Sequence, residues 1–163
     1  MNHILAAQLK KMVQKDQKVR KLMDKMYEID NENRKKLKRI IRKYDFPTKT
    51  LVGKDGAGDA WLIVQHADDD VKFQAKCLKR LKKLVEIGEA DKRNVAYLTD
   101  RVRTNKNLPQ VYGTQVSMRP ADWKNKKFVY GNLVDPKNLD KRRKEVGLEP
   151  FSKYIKRFKK PRG

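Results

Sequence analysis

His66 is the residue in this sequence whose type and neighbours most invite chemistry. It ends the run Ala60-Trp61-Leu62-Ile63-Val64-Gln65-His66 and stands just before Asp68-Asp69-Asp70. An imidazole beside carboxylates has a raised pKa and can serve as a general base. The same position equally suits a helix-end histidine held by the C-terminal dipole and bonded to Asp69 or Asp70. His66-x-Asp68-x-Asp70 also offers one imidazole and two carboxylates to a divalent ion. Aspartate-rich turns are common helix caps, however, so neither a metal nor a cofactor is expected. Gln65 and Gln74 fall on mainly apolar helix faces, and Asp100-Arg101 interrupts an apolar stretch. Buried amides and a buried ion pair need partners. Gln65, His66, Asp68, Asp100, Arg101 and Gln115 therefore form either a candidate catalytic pocket or a hydrogen-bonded network that fixes helix packing.

Three further features carry weaker signals. Tyr112-Gly113-Thr114-Gln115 places a glycine where a ligand or another backbone could approach closely. Arg142 and Arg143 offer a fork for phosphate, or else a solvated helix face. Cys77 lies in an expected buried stripe, a poor place for a nucleophile. It is the only cysteine, which excludes an intrachain disulfide and a cysteine-based zinc site. Gly53-Lys54-Asp55-Gly56-Ala57-Gly58 lacks the Gly-Lys-Ser/Thr ending of a phosphate loop, and no Gly-x-Ser-x-Gly elbow occurs.

The elements that must position these residues are mostly helical. Leu5, Leu9, Met12, Val19, Met23 and Met26 recur at spacings of four and three, with Asp16 interrupting them. They predict a long amphipathic helix over residues 4–29 that could self-associate as a coiled coil. Asp30-Asn31-Glu32-Asn33 reads as a capping cluster. Yet Asp30, Asn33, Leu37, Ile40 and Tyr44 continue the seam, which would turn Asp30 and Asn33 inward, where each needs a partner. Lys54–Gly58 reads as a loop, followed by a short helix over 60–67 capped by Asp59. A helix over 70–87 follows with Gln74, Leu78, Leu81 and Val85 inward, then one from Asp91 to about 104 with Val95, Leu98 and Val102 inward. After Pro109 the period becomes two, which predicts a hairpin with strands Val111–Met118 and Phe128–Leu133. Helices from Pro136 to Val146 and from Pro150 complete the chain, with Phe151, Tyr154, Ile155 and Phe158 on one face of the last. The expected fold is mainly α: a single helical domain of six or seven helices with one β-hairpin near 111–133. Its parts are a basic helix (1–29), a core (30–152) and a basic arm (153–163).

Charge narrows the class of partner. The 163 residues include 42 Lys and Arg against 20 Asp and Glu, a net charge of +22. Residues 1–57 carry 16 basic and 7 acidic groups, residues 58–100 carry 8 of each, and residues 101–163 carry 18 and 5. A neutral centre between basic arms suits nucleic acid or another polyanion, bound through counterion release. The expected contacts are Lys10, Lys11, Lys18 and Lys21 on the first helix, Arg142 and Arg143, and Lys153, Lys156, Arg157, Lys159 and Lys160 in the arm. The longest apolar run is too short to span a bilayer, and a secretory leader is absent, so a reducing, cytoplasmic setting is expected.

Several segments together resemble an uncharacterised bacterial domain family of unknown function. They are Ala60–Asp68 with Phe73-Gln74, Asn94–Val102, Gln110-Val111-Tyr112-Gly113-Thr114-Gln115, and Asp140-Lys141-Arg142-Arg143 with Gly147-Leu148. Upstream, Asp30-x-x-Asn33 and Phe46-Pro47 fit as well, with Phe46 where a tryptophan is more usual. The resemblance spans roughly residues 30–154 and leaves out the first helix and the tail. It implies no activity, but it adds weight to His66.

Three functions are therefore carried forward. The first is a nucleic-acid-associating protein with little sequence specificity. The second is a hydrolase or transferase acting on a phosphate- or nucleotide-bearing substrate through His66, Asp100 and Arg101. The third is a packaging protein assembled through its N-terminal helix.

Overall fold

The computed structural model describes residues 1–19, 25–118 and 128–159. Among these the fold is mainly helical: α1 (His3–Val19), α2 (Met26–Tyr44), α3 (Lys49–Gln65), α4 (Val71–Glu86), α5 (Lys92–Thr104), α6 (Leu139–Glu145) and α7 (Phe151–Lys159). The chain divides into two compact units, Met1–Asn94 and Val95–Gly163. That division falls inside α5, so the boundaries expected near residues 29 and 152 do not coincide with it.

In the first unit, only part of the apolar seam read from sequence is buried. Met26 is half-buried, Tyr44 is 39% exposed, and the side chains of Val19 and Met23 lie outside the described residues. Ile29, not in that seam, joins the buried face. Leu5, Leu9 and Met12 of α1 and Ile29, Leu37 and Ile40 of α2 are all buried. The α1 stripe is used within the chain, against α2 and α3, rather than left open for a coiled coil. No break occurs at Asp30–Asn33. Helix α2 runs through them, and Asn33 is buried with its Nδ2 donating to Met12 O at 3.2 Å. Lys15 and Lys36 both donate to Glu32, at 2.8 and 2.6 Å, and pull its carboxyl down to about 2. Because that pKa is depressed, the tie between α1 and α2 holds above the usual carboxylate range and is lost as pH falls from there towards 2.

Lys54–Gly58 is helix, not loop. Helix α3 starts at Thr48, whose hydroxyl accepts from Leu51 N, and is kinked at Gly53, where φ is +77°. A Cβ at Gly56 would lie 2.9 Å from Val52 Cβ and 3.6 Å from Ala6 Cβ. This glycine is therefore crowded by Val52 across the kink of its own helix, while Ala6 of α1 lies at ordinary contact distance; composition alone reads it as flexibility. Asp70 caps α4 by accepting from Phe73 N at 3.0 Å, as expected of the Asp68–Asp70 run. The inward stripe of α4 is Phe73, Gln74, Cys77, Leu81 and Leu84. Leu78 and Val85, expected inward, are only half-buried, so the face is turned from the one predicted.

The second unit holds the end of α5, α6, α7 and two short strands. Strand β1 (Val116–Met118) pairs antiparallel with β2 (Phe128–Tyr130), Val116 opposite Tyr130. The loop expected at Arg119–Lys127 lies outside the described residues. Val111–Gln115, expected as strand, is irregular because its amides bond a carboxylate instead of a neighbouring strand. Tyr154 of α7 is buried and its hydroxyl donates to Thr114 O at 2.7 Å. Its ring packs edge-on against Phe158, so the aromatics of α7 serve its inner face.

What approaches Gly113 is the ring of Phe151. A Cβ there would sit 2.7 Å from Phe151 Cε2 and 3.2 Å from Leu133 Cδ2, at a φ of +63°. Gly113→Ala combines left-handed strain with overpacking, each worth about 1–3 kcal/mol. Urea unfolding should show a loss of about 2–4 kcal/mol; an unchanged midpoint would mean that the loop shifts freely.

Candidate functional site

His66 caps the C-terminus of α3, but its partner is not Asp69 or Asp70. Its Nδ1 lies 3.0 Å from Asp16 Oδ2, a carboxylate fifty residues away on α1. Asp16 is 3% exposed, and its Oδ2 also accepts from Gln17 Nε2 at 2.7 Å. Asp30 of α2 completes the group: one ligand atom each from Asp16, Asp30 and His66 lie within 4.8 Å of one another. The two polar interruptions of the apolar seam thus meet the histidine. A carboxylate on Nδ1 orients the ring, the geometry of a proton-transfer pair.

The aspartates after His66 serve the fold instead. Asp68 Oδ1 accepts from Gln74 Nε2 at 3.2 Å, and the same amide donates to Val64 O at 3.1 Å. Gln74 thereby closes the end of α3. Asp69 pairs with Arg34, and Asp70 pairs with Lys38 at 2.6 Å. The Lys38 ammonium holds the Asp70 carboxyl below its usual range. Gln65 is buried with no hydrogen bond to its Oε1.

Asp100, Arg101 and Gln115 come together within the second unit, whereas His66 and Asp68 belong to the first. Asp100 is fully buried and accepts from Val111 N at 2.7 Å, Tyr112 N at 3.1 Å, and Thr114 N and Oγ1 both at 2.9 Å. Arg101 Nη1 donates to Gln115 Oε1 at 3.1 Å, while Gln115 Nε2 donates to Tyr97 O at 3.2 Å. This arrangement folds the Val111–Gln115 loop around a carboxylate and corresponds to the network reading of these residues. The arginines of α6 complete it. Arg142 donates to Val111 O at 2.9 Å and Asp135 O at 3.0 Å. Arg143, 1% exposed, donates to Tyr112 O and to Glu149 O, and stacks on Tyr154 at 4.9 Å. Arg143 therefore presents no fork to phosphate: its guanidinium is buried and bonded to carbonyls.

The other expected cationic contacts are spread over two units. Lys10 and Lys11 are exposed on α1; Lys153, Lys156 and Arg157 are exposed on α7, with Arg157 paired to Glu149 at 2.7 Å. Lys21 and Lys160 lie outside the described residues, as do the side chains of Lys18 and Lys159.

One cationic feature among the described residues was not read from the sequence. Between α2 and α4 runs a groove of about 730 Å³, bordered by Lys35, Lys38, Arg39 and Arg42 on one side and Lys72, Lys76 and Arg80 on the other. Ile41, Phe46, Phe73 and Cys77 line its apolar part. Lys38 and Arg80 are neutralised by Asp70 and Asp45. Lys35, Arg39, Arg42, Lys72 and Lys76 are exposed and make no ion pair among the described residues. Successive cations four residues apart rise by roughly 6 Å along each helix. A signal did exist: Val71–Val85 holds six basic residues and no acidic one. It was hidden because the acids of the flanking turns bring the 58–100 window to zero.

Burial drives the Cys77 thiol up to about 12, so it stays protonated at neutral pH. A disulfide reagent at pH 8 should label it at least 100-fold more slowly in the native protein than in urea. Equal rates would show that the groove floor opens.

These features define a mainly helical, strongly basic protein with a histidine–aspartate cluster in one unit and a carboxylate-centred loop in the other. The chain belongs to the family of unknown function DUF6624, whose profile matches residues 4–163. The match takes in α1 and the tail, which the resemblance over 30–154 had left outside, so the basic ends are part of the family domain and not additions to it. No curated protein and no solved structure matches the chain.

Proposed function

We propose that this protein associates with nucleic acid through phosphate contacts, with little sequence specificity. The groove between α2 and α4 is the observation that carries this reading. Its five exposed, unpaired cations stand in two rows about one helical turn apart along each helix, a spacing suited to tracking a charged polymer. Phe46 and Phe73 are buried, so bases gain no stacking platform from them, and phosphate contacts position without specifying sequence. Fluorescence anisotropy of labelled RNA and duplex DNA, with protein stripped of nucleic acid, tests the reading. Saturable binding is expected at low salt with both probes; none with either contradicts it.

A second reading, a hydrolase or transferase on a phosphate- or nucleotide-bearing substrate, is favoured by the bond between Asp16 and His66 Nδ1. His66 would act as base, without Asp100 and Arg101, whose polar atoms are used in the loop of the second unit. His66→Ala should then abolish turnover and keep the helical content.

A further inference from the structure

The group formed by Asp16, Asp30 and His66 has a use beyond a bonded pair. We infer that these three residues bind one divalent transition-metal ion of the Zn²⁺ or Mn²⁺ kind. In a tetrahedral site with N and O donors at about 2.0–2.2 Å, neighbouring ligand atoms lie roughly 3.3–3.6 Å apart. The three ligand atoms lie within 4.8 Å of one another, with His66 Nδ1 and Asp16 Oδ2 at 3.0 Å, so side-chain adjustments of about an ångström bring all three onto one ion. One imidazole nitrogen with two carboxylates is a donor set that suits zinc and manganese, and three protein ligands leave a position open to water or a substrate oxygen.

The three residues come from three separate parts of the first unit: α1, α2 and the end of α3. Among the described residues no other trio of His, Cys, Asp or Glu atoms converges in this way. The supports are also in place. Gln17 Nε2 donates to Asp16 Oδ2, and the Asn33 amide on Met12 O ties α2 to α1 one turn from the ligands. Such bonds orient ligands and commonly change metal affinity 10- to 100-fold. A divalent ion there is attracted by both carboxylates and takes the lone pair of His66 Nδ1. Binding then releases a proton whenever that nitrogen was protonated. This inference goes beyond the proton-transfer pair of the second reading, and binding alone tests it, whether or not the protein turns over a substrate.

The experiment is titration of the chelator-stripped full chain with Co²⁺, read by visible absorption, and with Zn²⁺, read by calorimetry. One ion per chain is expected. Asp30→Asn and His66→Gln should each weaken binding at least 10-fold, while His3→Ala leaves it unchanged. Circular dichroism checks that each variant folds, and Asp16→Asn replaces either one that does not. Zn²⁺ should raise the melting temperature of the wild type and not of Asp30→Asn. Absence of saturable binding, or binding untouched by these variants, overturns the assignment.

Discussion

Asp100→Ala should lower the stability of the protein by about 4 kcal/mol, measured by urea unfolding. The carboxylate accepts from three backbone amides and the Thr114 hydroxyl, and it is fully buried. Truncation leaves those donors in a dry site, at about 1–3 kcal/mol for each one left unsatisfied and unreached by water. Removing one partner of a buried charged network typically costs about 3–5 kcal/mol. Asp100→Asn keeps the shape but turns an amide NH₂ towards backbone N–H groups, so it should recover only part of the loss. A residue needed only for chemistry would behave in the opposite way, leaving the unfolding midpoint in place. Near-wild-type stability for Asp100→Ala would contradict the organising role given to this carboxylate.

Replacing Arg39, Arg42, Lys72 and Lys76 together by glutamine should weaken nucleic-acid binding about 600-fold at physiological salt. Each phosphate contact contributes a factor of roughly five there through counterion release. All four side chains are exposed and unpaired, so the fold should survive, and circular dichroism checks it. Neutralising Lys10, Lys11, Lys153 and Lys156 instead removes the same charge from α1 and α7, and should cost much less. Equal losses in the two variants would make net charge, rather than the groove, the cause of binding.

The apolar periods made helix legible as the main element, and the cap at Asp70 followed local rules. Residues 4–29, expected as one helix, are instead α1 to Val19 and the start of α2 from Met26, and α3 begins ahead of the stretch expected as a loop. Gly56 was misread because a glycine crowded by Val52 within a kinked helix looks like one that frees a loop. The strand expected over Val111–Gln115 failed for a related reason. Alternation predicts extended backbone, but a buried carboxylate outcompeted a neighbouring strand for the amides. In the candidate site, Asp16 and Asp30 were visible as polar residues in an apolar seam, and His66 as a helix-end histidine. Their meeting was not visible. Local spacing favoured Asp69 or Asp70 as the partner of His66, while the actual partner lies fifty residues upstream. The groove escaped because it joins two helices, one of them basic only when its capping aspartates are set aside.

The salt dependence of binding bears hardest on the proposed function. Anisotropy of a labelled single strand should be measured from 50 to 300 mM salt with the full chain. Five groove contacts predict a slope of log K against log salt of about −3.5, falling by roughly 3 in the four-glutamine variant. A flat salt dependence, or a slope that the variant leaves unchanged, would contradict a phosphate-binding groove between α2 and α4.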